Sequence, residues 1–428
     1  MNTDRFQLGD EQQRMARRIL DVGTICDECL GRAYGRIGRG YTNADRGRLV
    51  RMLVQEVEPA KRDPCWVCGD VFDRIDSWAD RAVAMAEGWE HATYRFGVLL
   101  TTKLEQVEAY FGERFPTGAM EPLKHAVNRA LGMAYERRMK RGTVSFGNPD
   151  LSFVLDLAHD ELSMDVASVY LAGRYRKLVR GIPQTKWPCR SCRGRGCARC
   201  GYTGKQYAES VEEWIGGPLI DAARAQSGVL HGAGREDIDA LMLGSGRPFV
   251  IEIVAPRVRA LPWDRLAGLV NEHARGRVQV CGLVPATRQT VARAKTTASR
   301  KAYQVRVVFG REITDAELAD ALHELVGRIE QRTPRRVAHR RANLVRIRTV
   351  HRATGRLIDS RHAEIGFITD GGLYVKELVS GDAGRTMPNL SSRLGTEAVV
   401  RELDVTGILS DELSQGLGLD RCEWMDSA

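Results

Sequence analysis

Residues 231–257 read His-Gly-Ala-Gly-Arg-Glu-Asp-Ile-Asp-Ala-Leu-Met-Leu-Gly-Ser-Gly-Arg-Pro-Phe-Val-Ile-Glu-Ile-Val-Ala-Pro-Arg. The stretch begins as an acidic, glycine-punctuated loop and continues into an apolar run typical of a buried strand. This layout predicts that Asp237 lies at the edge of a sheet. A reactive aspartate must stay ionised while partly removed from water, which requires nearby cations or hydrogen-bond donors. Arg235, Arg247 and Arg257 are the candidate cations within the stretch.

The same loop also has a purely structural interpretation. Aspartates in glycine-rich loops commonly cap the element that follows, so Asp237 and Asp239 could be turn acids. In an extended segment the two side chains would share a face. The loop alone therefore leaves both interpretations open, and the rest of the chain has to decide between them.

The cysteines are grouped rather than scattered. Eight of the ten fall into four Cys-x-x-Cys pairs, which in a chain without a secretion signal favours metal over disulfide. Four thiolates within tetrahedral reach favour structural zinc. The predicted ligands are Cys26, Cys29, Cys65 and Cys68 for one site, and Cys189, Cys192, Cys197 and Cys200 for a second. Two redox pairs are the alternative for the first site, and an iron-sulfur cluster is the alternative for the second.

Length and composition place the chain among globular proteins of two or three domains. It has 428 residues, of which 43% are hydrophobic. No run approaches the roughly eighteen apolar residues of a membrane span, and the N-terminus lacks a signal pattern. We therefore expect a cytoplasmic protein without a membrane partner.

The net charge of +9 is concentrated in particular segments. Residues 332–356 contain nine arginines, two histidines and no acid. Such a run is either a solvated face or a surface for a polyanion such as RNA. Val345 and Ile347 alternate with Arg346 and Arg348, which predicts a half-buried strand with the arginines on its exposed face. A second basic segment, residues 285–301, is predicted to be a mobile loop.

Helical and strand-like patterns follow one another along the chain and predict an α+β fold. We expect a helix over residues 315–331 and strands that include Tyr303 and Tyr374. The boundary is predicted near residue 205. It would separate a zinc-binding, RNA-binding region (1–205) from a second domain (206–428) with a mixed, mainly antiparallel sheet flanked by helices.

Six segments carry a recognisable set of motifs in order along the chain. They are Ile-Cys-Asp-Glu-Cys-Leu-Gly-Arg from Ile25, Gly-Arg-Tyr-Arg-Lys-Leu-Val-Arg-Gly-Ile-Pro-Gln-Thr-Lys-Trp from Gly173, Ser-Val-Glu-Glu from Ser210, Gly-Arg-Glu-Asp-Ile-Asp from Gly234 with Met-Leu-Gly-Ser-Gly-Arg-Pro-Phe from Met242, Lys-Ala-Tyr from Lys301, and Gly-Leu-Tyr-Val-Lys-Glu-Leu-Val-Ser-Gly-Asp-Ala-Gly-Arg-Thr-Met-Pro from Gly372. Together they resemble the archaeal and eukaryotic tRNA pseudouridine synthases that act on T-arm uridines 54 and 55.

The resemblance implies a THUMP-type N-terminal region, a pseudouridine synthase catalytic domain, and tRNA, through its T-arm and elbow, as the partner. It implies that Asp237 is the nucleophile and that Tyr303 and Tyr374 contact the substrate; without it, both tyrosines could be core or strand-edge aromatics. Arg385 is the candidate partner of Asp237 and a further substrate contact. The reaction is an isomerisation, so no catalytic cofactor is expected, and no obligate protein partner is inferred.

Two other functions fit parts of the sequence. THUMP-like modules also occur in tRNA methyltransferases and thiouridine synthases, but the chain shows neither a glycine-rich nucleotide loop nor a Ser-Gly-Gly-x-Asp-Ser loop. A non-catalytic zinc-containing RNA-binding protein, in which Asp237 is only a turn acid, is the second alternative.

Overall fold

A computed structural model of the chain describes residues 6–38, 40–55, 63–296, 299–339, 341–409, 412–419 and 424. Residues 297, 298 and 340, which belong to the two basic segments, lie outside the described residues. The chain forms two units, which divide between Ala167 and Ser168. Each unit has its own hydrophobic core.

The first unit combines six α-helices with a four-stranded sheet in its described part. The helices are α1 (Asp10–Leu20), α2 (Asp27–Arg32), α3 (Asn43–Leu53), α4 (Ile75–Ala86), α5 (Thr102–Arg114) and α6 (Leu123–Met139), and the strands are β1 (Thr93–Leu99), β2 (Thr143–Val144), β3 (Leu151–Asp156) and β4 (Glu161–Val166). The strand order is β2-β1-β3-β4, with β1 parallel to β2 and β3 and with β3 antiparallel to β4.

Helices α2 and α3 cross at two glycines. A Cβ at Gly31 would lie 1.7 Å from the carbonyl oxygen of Asn43, and a Cβ at Gly47 would lie 2.1 Å from that of Asp27. These distances are far inside van der Waals contact, so no side chain fits at either position. Thr42 caps α3 by accepting a hydrogen bond from the backbone N–H of Asp45. The two glycines thus allow α2 and α3 to approach closely beside Cys26, the N-cap of α2, and Cys29 within that helix.

The second unit contains seven α-helices and ten strands in its described part. The strands are β5 (Val169–Lys177), β6 (Ser227–Gly232), β7 (Leu241–Val254), β8 (Val278–Ala286), β9 (Arg300–Phe309), β10 (Gly327–Arg332), β11 (Val345–Asp359), β12 (His362–Thr369), β13 (Thr386–Met387) and β14 (Ala398–Leu409). The helices are α7 (Val211–Ala223), α8 (Leu266–Ala274), α9 (Arg288–Thr296), α10 (Asp315–Leu325), α11 (Val375–Ser380), α12 (Leu390–Leu394) and α13 (Glu412–Gly416).

The ten strands form one mixed sheet in the order β13-β10-β11-β12-β9-β14-β7-β5-β8, with β6 also paired to β7. Only the β7/β14 pair is parallel among these strands. The predicted α+β class with a mainly antiparallel sheet is therefore what the structure shows. None of the helices in the described part of the chain has the length and apolar character that a membrane span requires.

The division between the units falls earlier than the boundary predicted near residue 205. Strand β5 begins at Val169 and pairs with β7 and β8 in the large sheet. The apolar run 164–171 is split between β4 of the first unit and β5 of the second. Because backbone pairing commits β5 to the second unit, the segment up to residue 205, including the second cysteine cluster, belongs there as well.

Two element predictions are corrected by the structure. The basic segment 285–301, expected to be a mobile loop, forms the end of β8, helix α9 and the start of β9. Val291 and Ala294 of α9 are buried, so this short helix has an apolar face. The helix expected over residues 315–331 ends at Leu325, and Ile329 is buried in strand β10 instead. The leucine spacing that suits a helix happens to continue beyond Leu325, so Ile329 of the next strand fits the same pattern.

The faces of strand β11 are the reverse of the prediction. Val345 and Ile347 are 48% and 51% exposed, whereas Arg346 and Arg348 are half-buried. Arg346 donates a hydrogen bond to Thr333 Oγ1 over 2.8 Å, and Arg348 donates to the carbonyl of Gly371 over 3.0 Å. Alternation indicates that two faces differ, and in this strand the packing of the neighbouring loops decides which face is inside.

Candidate active site

Asp237 lies in the loop that joins β6 to β7, and buried side chains hold that loop in place. Lys177, which is fully buried on β5, donates hydrogen bonds from Nζ to the carbonyls of Ile182, Asp237 and Ile238 over 3.1, 3.1 and 3.2 Å. The backbone N–H of Gly181 donates to the carbonyl of Ile238 over 2.9 Å. The motif from Gly173 therefore positions the backbone of the aspartate loop.

A buried ion pair anchors the residue that precedes Asp237. Glu236 and Arg247 are joined by a 2.8 Å contact, and their side chains are 0% and 1% exposed. The Tyr175 hydroxyl donates to the Glu236 carboxylate over 2.9 Å, and Gln184 donates to the Tyr175 oxygen over 2.7 Å. Glu236 thus points into the core, whereas the side chain of Asp237, the next residue, is 36% exposed.

Two cations from distant parts of the chain hold the Asp237 carboxylate. Arg336 Nη1 lies 3.2 Å from Asp237 Oδ2, and Lys376 Nζ lies 3.7 Å from the same oxygen. The side chain remains 36% exposed, so it can meet a substrate. Burial works against the charge of Arg336, but its 2.7 Å bond to Glu377 raises its pKa. The aspartate thus faces a fixed positive environment.

The cations suggested by the sequence have other partners. Arg385 donates hydrogen bonds to the carbonyl of Thr333 and to Asn343 Oδ1, the latter over 3.0 Å, so it is not the partner of Asp237. Arg247 pairs with Glu236. Arg235 lies over the ring of Trp187, with its guanidinium carbon 4.9 Å from the ring centre. Loop geometry directs these arginines away from the Asp237 carboxylate.

Arg257 also lies away from the aspartate, in the turn after β7. Its backbone N–H bonds to the carbonyl of Ala223, the last residue of α7. All three arginines of the opening stretch therefore lie beside residues other than Asp237. Sequence reasoning missed Arg336 and Lys376, although the first lies in the basic run 332–356 and the second two residues after Tyr374.

Tyr374 and Tyr303 both lie close to the Asp237 carboxylate or to the cations around it. Tyr374 was predicted in a strand but is the N-cap of α11, where Gln331 bonds to both its N–H and its carbonyl. The Arg336 guanidinium carbon lies 5.7 Å from the centre of its ring. Tyr303 is on β9, where burial raises its pKa to about 12; Arg247 counteracts that rise and Asp237 adds to it. The structure therefore brings both predicted tyrosines together with Asp237.

Lys301 is an additional cation that the sequence reasoning did not single out. A Cβ at Gly234 would lie 2.8 Å from both Lys301 Nζ and Arg247 Nη1, so the two cations converge on that glycine. Burial, reinforced by Arg247, lowers the pKa of Lys301 to about 7. The Lys-Ala-Tyr motif therefore places beside the aspartate loop an amine whose charge changes near neutral pH.

Both cysteine clusters have the geometry of a four-thiolate metal site. In each cluster the four sulfurs lie within 4.8 Å of one another. Individual pairs are 3.7 Å apart for Cys26 and Cys68 and 3.8 Å apart for Cys197 and Cys200. Zn–S bonds of about 2.3 Å in a tetrahedron require sulfurs about 3.8 Å apart. The donor sets therefore fit zinc, and no ligand position is left for a substrate.

Known proteins resemble the chain along nearly its whole length. The family model described as "Pus10, C-terminal" matches residues 170–408, and the one described as "Pus10 THUMP domain, archaeal" matches residues 78–156. The chain belongs to the Pus10 family. A Halorubrum lacusprofundi protein named tRNA pseudouridine synthase Pus10 is 42% identical over 412 residues, which cover 93% of this chain and 96% of the relative. A Methanothrix thermoacetophila protein of that name is 40% identical over 423 residues, covering 92% and 93%.

Solved structures give weaker likenesses. A Cbf5-Nop10-Gar1 complex matches with a TM-score of 0.32 and 14% identity over 56% of this chain and 50% of the matched chain. A pseudouridylate synthase matches with a TM-score of 0.21 and 13% identity over 74% and 94%. Membership of the Pus10 family confirms the predicted family, the THUMP-containing α+β architecture and the isomerase class, and it replaces the methyltransferase, thiouridine synthase and non-catalytic alternatives.

Proposed function

We propose that this Pus10-family chain converts uridine to pseudouridine in the T-arm of tRNA, at position 54, position 55 or both, with Asp237 as the nucleophile. The observation that carries the proposal is the Asp237 carboxylate, exposed and bracketed by Arg336 and Lys376. Two tyrosines lie close to the same group. A turn acid that only caps a helix needs none of these neighbours.

The reaction breaks the bond between C1′ of the ribose and N1 of uracil, rotates the base and joins C5 to C1′. The proton on C5 is lost and N1 gains one, so the overall change is an isomerisation. Asp237 promotes detachment of the base, and Arg336 and Lys376 orient its carboxylate. The rings of Tyr303 and Tyr374 provide a platform that retains the freed uracil. The target base has to leave its stack to reach them.

We also propose that zinc occupies both cysteine clusters in a structural role. Zinc would be held by Cys26, Cys29, Cys65 and Cys68 in the first unit, and by Cys189, Cys192, Cys197 and Cys200 in the second. When bound, it would fix the two halves of each cluster without taking part in the reaction. Backbone N–H groups of Gly196 and Gly204 donate to the sulfurs of Cys192 and Cys200. At Cys200 the backbone hydrogen bonds, first at Cys197 and then from Gly204, lower the pKa of the thiol to about 6, which favours the thiolate.

The Asp237→Asn variant tests the proposed nucleophile. It should lose pseudouridine formation on an unmodified tRNA transcript while retaining tRNA affinity, because the isosteric amide keeps the shape and removes only the charge. Turnover is measured without any added cofactor, and modified positions are mapped on the same transcript. Retention of activity within about tenfold, equivalent to roughly 1.4 kcal/mol of barrier, would show that Asp237 is not the nucleophile.

Asp239→Asn is the matched control for this experiment. Asp239 is 66% exposed and contacts the same Lys376 over 2.7 Å, but the family motif does not align it with the reacting position. Its removal changes the local charge by the same amount as Asp237→Asn. We expect it to keep most of the turnover. Equal losses in both variants would indicate that charge in the loop, rather than Asp237 itself, is required.

A further inference from the structure

A large basic groove lies at the β13 end of the sheet in the second unit, apart from the Asp237 site. Its volume is about 1040 Å³. It is formed by one face of β10, by the turn before β13 and by α12. We call it the arginine groove, and its charged lining residues are Arg328, Glu330, Arg332, Arg335, Arg385 and Arg393.

Positive charge in the arginine groove is only partly balanced by the protein, in which Glu330 is the acid among the lining residues. Within the described ranges, Arg328, Arg332 and Arg335 make no ion pair or side-chain hydrogen bond. Arg393 pairs with Glu324 over 2.9 Å, and Arg385 lies 3.6 Å from Asp382. Unpaired guanidinium groups that share one concave surface repel one another unless a polyanion is present. The groove is therefore built for a ligand with several negative charges.

Strand alternation places this groove on the opposite face of β10 from the tyrosine site. Gln331 is buried and bonds the backbone of Tyr374, whereas its neighbours Glu330 and Arg332 point into the groove. Likewise Thr386 of the edge strand β13 bonds Gln331, and Met387 lines the groove. A chain of phosphates could pass from one face to the other around this edge.

The segment after β10 connects the two faces directly. Arg335 lines the groove, and the next residue, Arg336, contacts Asp237. Arg328 and Arg332 lie on one face of β10, four residues and about 13 Å apart. Exposed Val345 and Met387, at 48% and 62%, add apolar surface between the cations. Spaced cations with apolar surface suit a nucleic acid strand better than a single compact anion.

We propose that the arginine groove binds the phosphate backbone of the tRNA substrate outside the target uridine, wrapping the RNA around the β13 edge. The proposal rests on the proposed function, because it takes tRNA as the substrate. In this arrangement Arg328, Arg332 and Arg335 position RNA and take no part in the reaction at Asp237. Phosphate contacts of this kind raise affinity irrespective of base sequence.

The test compares the triple variant R328Q/R332Q/R335Q with the control R352Q/R356Q/R361Q. The control removes the same charge from exposed arginines between the middle of β11 and the turn after it, of which Arg356 pairs with Glu364 over 2.8 Å. Binding of an unmodified tRNA transcript is measured over a series of KCl concentrations, turnover is measured at saturating tRNA, and thermal unfolding shows that both variants are folded. Three lost phosphate contacts should make the log-log salt slope about two to three units less steep and weaken binding at least about tenfold.

The expected result is that the groove variant loses affinity and salt dependence, keeps the turnover of the wild type at saturation, and differs from the control. Unchanged affinity and slope in the groove variant, or an equal loss in the control, would overturn the proposal, the first outcome indicating that the groove arginines form only a solvated face. Failure of the proposed function is distinguishable, because then the wild type itself would form no pseudouridine even though its binding could still be measured.

Discussion

Lys301 shows how a single residue beside the aspartate loop couples charge to pH. Its Nζ converges with Arg247 on Gly234, and burial lowers its pKa to about 7, against 10.5 for an ordinary lysine. Between these values the unfolded chain binds more protons than the folded one. The free energy of unfolding contributed by Lys301 is therefore full above pH 10.5 and falls as the pH drops toward 7.

From this pH dependence of the free energy of unfolding, we predict that Lys301→Met stabilises the protein most at and below pH 7. The advantage of the variant over the wild type should shrink as the pH rises from 7 to 9, because the wild-type lysine loses a proton on folding and that loss costs less free energy at higher pH. Urea unfolding at a series of pH values measures the difference. Lys295→Met, at an exposed position of α9, should show no such trend. A pH-independent difference for Lys301→Met would contradict the assigned burial of charge.

At the scale of elements, the crossing of α2 and α3 depends on the absence of side chains at Gly31 and Gly47. A Cβ at Gly47 would meet the carbonyl oxygen of Asp27 at 2.1 Å. Both atoms belong to backbone within helices, so neither moves without separating the elements. Because Cys26 is the N-cap of α2 and Cys29 lies within it, this separation would also displace two predicted zinc ligands.

Gly47→Ala should therefore destabilise the first unit by about 1–3 kcal/mol, the usual cost of overpacking. Thermal or urea unfolding measures the loss. Gly132→Ala is the matched control, because Gly132 is also helical and its Cβ would meet only Val144, at 3.9 Å. There we expect no loss or a gain of about 0.5–1 kcal/mol, since alanine favours helix. If both variants behaved alike, the tight crossing would not be a stability determinant.

At the scale of the whole molecule, each unit has a separate core and its own cysteine cluster. Separate cores predict separate cooperative transitions. Calorimetry of the wild type should resolve two transitions, and metal analysis should find two zinc ions per chain. The two proposed zinc sites give a way to perturb either unit alone.

Cys26→Ser should lower the midpoint of one transition, and Cys197→Ser should lower that of the other, each with loss of one zinc. Calorimetry and metal analysis of the same samples check this. The two variants serve as controls for each other. A single transition that both substitutions shift equally would mean that the units unfold together, and full zinc retention in either variant would remove that cysteine from the ligand set.

Candidate residues that lie within one continuous motif could be singled out from the sequence. Spacing singles out the four Cys-x-x-Cys pairs, and the family motifs single out Asp237 and the two tyrosines; the roles of these residues stay predictions. The family and the α+β class could be inferred for the same reason. The expected cytoplasmic localisation stays a prediction.

Only the tertiary structure decided the partners of those residues. Asp237 meets Arg336 and Lys376 because strand order brings the end of β10 and the start of α11 to the β6–β7 loop. Arg385 is equally basic, but its turn directs it to Thr333. Alternation in β11 likewise predicted two faces but not which is buried, since the packing of loops from elsewhere in the chain makes that choice. Local sequence determines periodicity and reactive groups, whereas long-range packing determines which of them meet.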